Sequence, residues 1–273
     1  MNAAEEWQHW TEARTARVSA PHGPLSLTGT YWLGPEPAEL PGLPGLWWAA
    51  DGVVRVRPDS FEGMGALGGP GEVGGLRIKG AEGGPIDGER ALRPDTDPAP
   101  QLAEYGDVLL VPIEREGELA LRVFDPAAPN RTAFAGITVY PYAPEWALPA
   151  VFTPFEGERD LLVPNADGRE RPLTVSGELA FSVAGEPHTL TVSGSAGEGL
   201  SGVIADATSG QETYRFRFVS LPEPDSAGRT VLDLNRAYLP PCAFADHFVC
   251  PFPPPGNRLS VAVEAGEKQV LSR

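Results

Sequence analysis

From Leu25 onward, apolar and polar residues alternate with a period of two through a series of short segments. That alternation puts one set of side chains on each face of a β-strand. The segments are LSLTGTYWL (25–33), VVRVR (53–57), GLRIKG (75–80), DVLLVPIER (107–115), ELALRVFD (118–125), AGITVYP (135–141), WALPAVF (146–152), LTVSGELAFSV (173–183), HTLTVSG (188–194), LSGVIADA (200–207) and TYRFRFVSL (213–221). They are rich in β-branched or aromatic residues and end at Gly, Pro, Asp or Asn. With no helical period between them, they predict a mainly β chain, in which antiparallel sheets form sandwich or barrel halves.

One segment has a different period. Residues 3–17 read as a short N-terminal helix: Asn2 can cap it with Glu5 three positions on, Glu5 and Glu6 suit its positive end, and Arg14 and Arg17 suit the other. Trp7, Trp10 and Arg14 share one face, a two-tryptophan anchor for a sheet. Pro21 ends the helix. The turn-rich stretch FDPAAPNRTAF (124–134) predicts a boundary. The expected organisation is the helix in 1–20, a β-rich domain over 21–125 and a second sandwich or barrel over 126–273. Between Glu36 and Gly75, long turns are expected, with Trp47, Trp48, Phe61 and Met64 calling for burial.

Composition sharpens the class. The 32 glycines and 30 prolines, almost a quarter of 273 residues, suit short strands and turns rather than long helices. A formal charge of −16 sets the surface against nucleic acid and anionic membranes, so neither is an expected partner. No stretch approaches the roughly 20 apolar residues of a membrane span. The N-terminus has acids where a secretion signal has bases, which predicts a cytoplasmic protein with free thiols.

Motif chemistry is sparse. GMGALG (63–68) has the spacing of a dinucleotide loop, but Gly69 and Pro70 follow where a helix should start. No phosphate loop, zinc-protease motif or nucleophile elbow is present. His9, His22 and His188 read as surface residues.

Three constellations remain. Cys242 and Cys250 flank Asp246 and His247. Cys242, His247 and Cys250 are the one conceivable zinc set, but C-x4-H-x2-C is not a common structural-zinc spacing, so no metal is expected. Buried, inert thiols among Phe244, Phe248 and Phe252 are the simpler reading, ahead of a disulfide. DATSGQETYRFRF (206–218) places Asp206, Thr208 and Ser209 in a turn before a strand, with Asp206 and Glu212 either beside a pocket or simply in that turn. The third constellation lies in the proline-rich stretch 233–268, too polar for a core strand and too broken for a helix. It carries Asp233, Asn235, Arg236, Tyr238, Asn257 and Arg258, whose arginines either staple the loop or form an anion clamp.

DATSGQETY, VLDLNRAYLPPCAF and CPFPPPGNRLSVAVEAGEK together resemble the C-terminal signature of a family found in bacteria and archaea, domain of unknown function 1684. LRVFDPAAPNRTAFAGITVYPYAPEWALPAVF resembles its central region, and the N-terminal helix with LSLTGTYWL its opening. The resemblance implies no function or cofactor. It implies only a faint likeness of the first half to forkhead-associated sandwiches, and LGPEPAELPGLPG lacks the Gly-Ser-Asp run and arginine of a phosphothreonine reader. His247 stands where an aromatic residue is more usual, and Arg215 and Arg217 where the family tends to have a glycine-containing turn and one arginine.

The leading expectation is a cytoplasmic β-protein binding a small, anionic molecule through Arg236, Tyr238, Arg258 and Asp206. One alternative is a hydrolase-type enzyme drawing on Asp206, Glu212 and Asp233 with Cys242. Another is an interaction scaffold without a pocket.

Overall fold

The computed structural model describes residues 2–58, 75–80, 83–195 and 199–273, so GMGALG, Phe61 and Met64 lie outside the described residues. The chain divides into two compact units, one of Ser19–Thr132, the other of Met1–Val18 with Ala133–Arg273. Every strand pair formed by the described residues is antiparallel, and the protein is mainly β with a short N-terminal helix.

In the unit of Ser19–Thr132, the strands are β1 (Leu27–Trp32), β2 (Ala38–Glu39), β3 (Leu46–Ala50), β4 (Val53–Arg57), β5 (Arg77–Ile78), β6 (Arg90–Leu92), β7 (Ala103–Tyr105), β8 (Val108–Arg115) and β9 (Glu118–Phe124). They form sheets ordered β2-β3-β4-β6 and β1-β9-β8-β7-β5. Trp47, Val54, Val56, Leu92, Leu110 and Leu121 fill one core. Trp47 is fully buried, and its indole N–H donates to Pro44 O at 3.1 Å. The hairpins β3–β4 and β8–β9 turn on Asp51-Gly52 and Glu116-Gly117, both residues of each pair having positive φ. That backbone matches the strand twist in two-residue loops.

In the other unit, α1 (Ala3–Val18) precedes β10 (Phe134–Val139), β11 (Ala147–Pro164), β12 (Glu170–Val183), β13 (Glu186–Ser195), β14 (Gly199–Ile204), β15 (Arg217–Leu221), β16 (Arg229–Asp233) and β17 (Glu267–Ser272). A six-stranded sheet runs β15-β14-β13-β12-β11-β16, and β10 pairs with β17. The sheet curls until its two ends meet: Phe218 and Tyr238 exchange backbone hydrogen bonds of 2.8 and 2.9 Å, tying β15 to the segment after β16. Leu179, Phe181, Leu190, Val192, Ile204, Val219 and Leu232 pack inside with Leu234 and Val263. The interior of this half-barrel is thus a side-chain core, as in other barrels of few strands.

The proline-rich stretch is packed rather than free. Pro240, Pro241, Pro251, Pro253, Pro254 and Pro255 forbid a ladder, and two asparagines replace it. Asn257 accepts from Thr191 N–H at 2.8 Å and donates to Thr191 O and Val203 O at 2.8 and 2.9 Å. Asn235 does the same with Ala143, at 3.0 and 2.9 Å. Each primary amide imitates a strand's donor and acceptor pair, which satisfies backbone groups that the prolines cannot. The helix is capped reciprocally, Glu5 N–H donating to Asn2 Oδ1 at 3.0 Å and Asn2 N–H to Glu5 Oε2 at 2.9 Å.

Candidate anion-binding site

Helix α1 is fixed at two points. The Trp7 indole N–H donates to Asn235 O at 2.9 Å. One face further along, Arg14 forks onto Glu267 through Nε and Nη2 at 2.9 and 3.0 Å and donates to Leu239 O at 3.2 Å. Glu267, 1% exposed, also accepts from Leu239 N–H at 2.7 Å. The Arg14 guanidinium lies 4.9 Å from the centre of the Tyr238 ring, a cation–π distance.

Docked this way, α1 forms one wall of a cleft of about 400 Å³. Trp10, Arg14 and Arg17 line it from the helix; Ser220, Leu221 and Pro222 line it from β15 and its end; Arg236 and Tyr238 come from the proline-rich stretch. Among the described residues, three arginines and no carboxylate line this space, in a chain of net charge −16.

The three guanidiniums differ in freedom. Arg14 is neutralised by Glu267 and fixed. Arg17 is exposed and has no ion pair among the described residues. Arg236 is intermediate: its Nε lies 3.4 Å from Asp233 Oδ2 and its Nη2 4.0 Å from Glu6 Oε2. The first contact is close enough for attraction but not aligned as a hydrogen bond, since the buried Nε has no hydrogen-bond partner. At 39% exposure the side chain keeps donors for another partner. The Tyr238 hydroxyl shares a 3.3 Å contact with Ser220 Oγ, which leaves it rotatable.

Of the residues singled out from sequence, the structure therefore brings Arg236 and Tyr238 together. Arg258 is exposed and Asp206 buried, and neither lines this cleft. Asp206 is turned inward: it accepts from Arg217 Nη2 at 2.7 Å, from Thr208 Oγ1 at 2.6 Å and from the backbone of Thr208 and Val263 at 2.8 and 3.2 Å. Burial would raise its carboxyl, but the Arg217 charge and the Thr208 bonds outweigh that and hold it below the usual carboxylate range.

The remaining acid–base candidates each have separate partners. Glu212 accepts from Tyr140 Oη at 3.0 Å and faces Lys268 Nζ at 3.8 Å. Burial first, then that bond, pushes the Tyr140 phenol up to about 12. Asp233 caps a turn through Asn235 N–H at 3.1 Å. Cys242 and Cys250 are buried and not joined in a disulfide, whereas His247 is exposed. Among the described residues no group of three metal-ligating side chains is close enough to hold an ion, and no helix is long and apolar enough to cross a membrane.

Sequence reasoning assigned Trp10, Arg14 and Arg17 to helix docking and the helix dipole, not to a site. The signal was available in their spacing: positions 10, 14 and 17 fall on one helical face, so a docked helix presents all three together.

A family model described as protein of unknown function (DUF1684) matches residues 132–268, which include Ser220, Arg236 and Tyr238 but not the α1 side of the cleft. A solved structure of an uncharacterized protein of Haloarcula marismortui is similar at 32% identity. The similarity covers 50% of this chain and 77% of that one, with a TM-score of 0.41. No curated protein matches. The chain belongs to the DUF1684 family of proteins of unknown function.

Proposed function

We propose that this protein is a binding module for a small organic anion, held in the cleft between α1 and the β15 end of the half-barrel. The observation that carries this reading is three arginines converging, with no lining carboxylate among the described residues, in a strongly acidic protein. A local positive site in such a field selects ligands that can displace water from guanidinium forks, and carboxylates and phosphates match that geometry. Trp10, Tyr238, Leu221 and Pro222 supply an apolar, partly aromatic wall, which suits a planar organic body better than a bare ion. Arg14 contributes a fixed charge and Tyr238 a hydroxyl; Arg17 and Arg236 are the groups with donors to spare. Two cysteines not joined in a disulfide fit a reducing, cytoplasmic setting for this activity.

The test is a calorimetric titration with phenyl phosphate, benzoate and inorganic phosphate at constant ionic strength. The aryl anions should bind more tightly than inorganic phosphate. Arg236→Ala and Arg17→Ala should each weaken binding about tenfold to a hundredfold, the loss of a charge-assisted fork, while melting within a few degrees of the parent. Equal binding by either variant and the parent would overturn the site assignment.

A further inference from the structure

On the segment that follows Tyr238, the two cysteines are arranged as a pair rather than as scattered core thiols. Cys242 stands in the tight turn Pro241–Ala243, and its backbone N–H points at Cys250 Sγ, 3.3 Å away. Both backbones are pinned from outside: the Tyr214 hydroxyl donates to Cys242 O at 3.1 Å, and Cys250 O accepts from Ala166 N–H at 2.9 Å. The same Tyr214 hydroxyl lies 3.7 Å from Cys242 Sγ. Arg215 is held close by stacking on Tyr214 and Phe252, at 5.5 and 4.6 Å from the ring centres. From sequence these thiols read as inert packing; the geometry points elsewhere.

We infer that Cys242 and Cys250 form a dithiol centre that undergoes reversible oxidation by hydroperoxides to an intrachain disulfide, with Cys242 the attacking sulfur and Cys250 the resolving one. An ordinary buried thiol is inert because burial disfavours its anion. Here the hydrogen bond from Cys250 is the largest influence on Cys242 and outweighs burial; with Tyr214 and Arg215 it brings the Cys242 thiol down to about 7. In the first step the Cys242 thiolate attacks one peroxide oxygen. An S–O bond forms, the O–O bond breaks and the leaving oxygen departs with a proton, so sulfur loses two electrons to the peroxide and becomes a sulfenic acid. Cys250 sulfur then attacks Cys242 sulfur: the S–S bond forms, the S–O bond breaks, and water leaves with the Cys250 proton. A thiol reductant reverses the product. The two cysteines are eight positions apart, and Cys250 Sγ already lies 3.3 Å from the Cys242 backbone nitrogen, so the two side chains share one short loop.

The test treats the reduced, full-length protein with stoichiometric hydrogen peroxide at neutral pH, followed by alkylation after unfolding and intact mass analysis. The expected result is that alkylatable thiols fall from two to none. The mass should drop by two hydrogens, non-reducing digestion should recover a Cys242–Cys250 link, and dithiothreitol should restore both thiols. Cys250→Ser should stop at a dimedone-reactive sulfenate on Cys242, and Tyr214→Phe should slow the wild-type reaction and move its pH midpoint upward. Two thiols still alkylated after peroxide, or Cys242 carried to sulfinic acid while Cys250 stays free, would overturn the inference. The wild-type measurement decides even where a variant fails to fold.

Discussion

Arg217 is fully buried, and its charge is met by one carboxylate, Asp206, and by the carbonyls of Val263, Ala265 and Glu267. Its Nε has no hydrogen-bond partner, so the site has no slack: the remaining donors must all be used. Asp206→Asn would leave a guanidinium in the core without its counter-charge, a change that costs about 3–5 kcal/mol. Urea denaturation at neutral pH should show that loss, and an unchanged midpoint would remove Asp206 from the list of structural anchors. The pH dependence follows from the sign of the shift. Because the folded carboxyl lies below its unfolded value of about 4, the stability it contributes is complete above that pH and is lost as the pH falls through the folded value. Asp206→Asn should therefore flatten the acid limb of the stability curve. Sequence reasoning offered Asp206 as a turn residue and, in the leading expectation, as a ligand contact; the partner that decides its place, Arg217, is known only once β15 turns its side chain inward.

At the scale of elements, the helix was legible nearly to the residue, since a capping box and a two-tryptophan face are local signals. Prediction over 3–17 compares with Ala3–Val18 observed. Strands with one buried and one exposed face were legible for the same reason: β12 alternates buried and exposed residues along most of its length. The distal half of β11 was not. Thr153 to Asp160 are mostly exposed, so no alternation marks them; Thr153, Pro154, Arg159 and Asp160 pair with β12 on either side of an irregularity between Pro154 and Arg159. β17 was missed likewise, because Glu267 is buried as an ion pair and Lys268 and Gln269 give no apolar face. The element that most affects the proposed site is α1, which carries three of the residues lining it. Asn2→Ala removes the cap acceptor for Glu5 N–H and should cost about 1 kcal/mol. Hydrogen exchange in the first turn of α1 should rise, while phenyl phosphate affinity should change less than twofold or so, since a penalty of that size in the first turn is spent far from Arg14 and Arg17. A tenfold loss would mean that the helix holds the cleft only through its N-terminus.

For the whole molecule, the decisive arrangement is that the chain leaves one unit after Val18 and re-enters it at Ala133. This is why the proposed site stayed illegible in the sequence: Arg17 and Arg236 line one cleft although an entire second core, built around Trp47 and Leu121, is encoded between them. No spacing rule spans that interval; only the docking of α1 brings the two together. The family match over residues 132–268 covers most of the same unit and leaves the helix outside. The unit should then depend on its helix for more than ligand contacts. Glu267 is buried and takes its charge compensation from Arg14, so residues 133–273 alone would hold a carboxylate in the core without a counter-ion, at a cost of about 3–5 kcal/mol. Joining residues 1–18 to residue 133 through a flexible Gly-Ser linker restores Arg14, Trp10 and Arg17 and replaces the intervening unit by a loop, which changes the closure entropy only slowly with length. The linked chain should unfold cooperatively in urea and bind phenyl phosphate within a few-fold of the full-length protein. Residues 133–273 alone should unfold at much lower urea and show no binding. If the fragment without α1 were as stable and bound equally well, the helix would be an ornament on the unit, and the site would have to be sought away from this cleft.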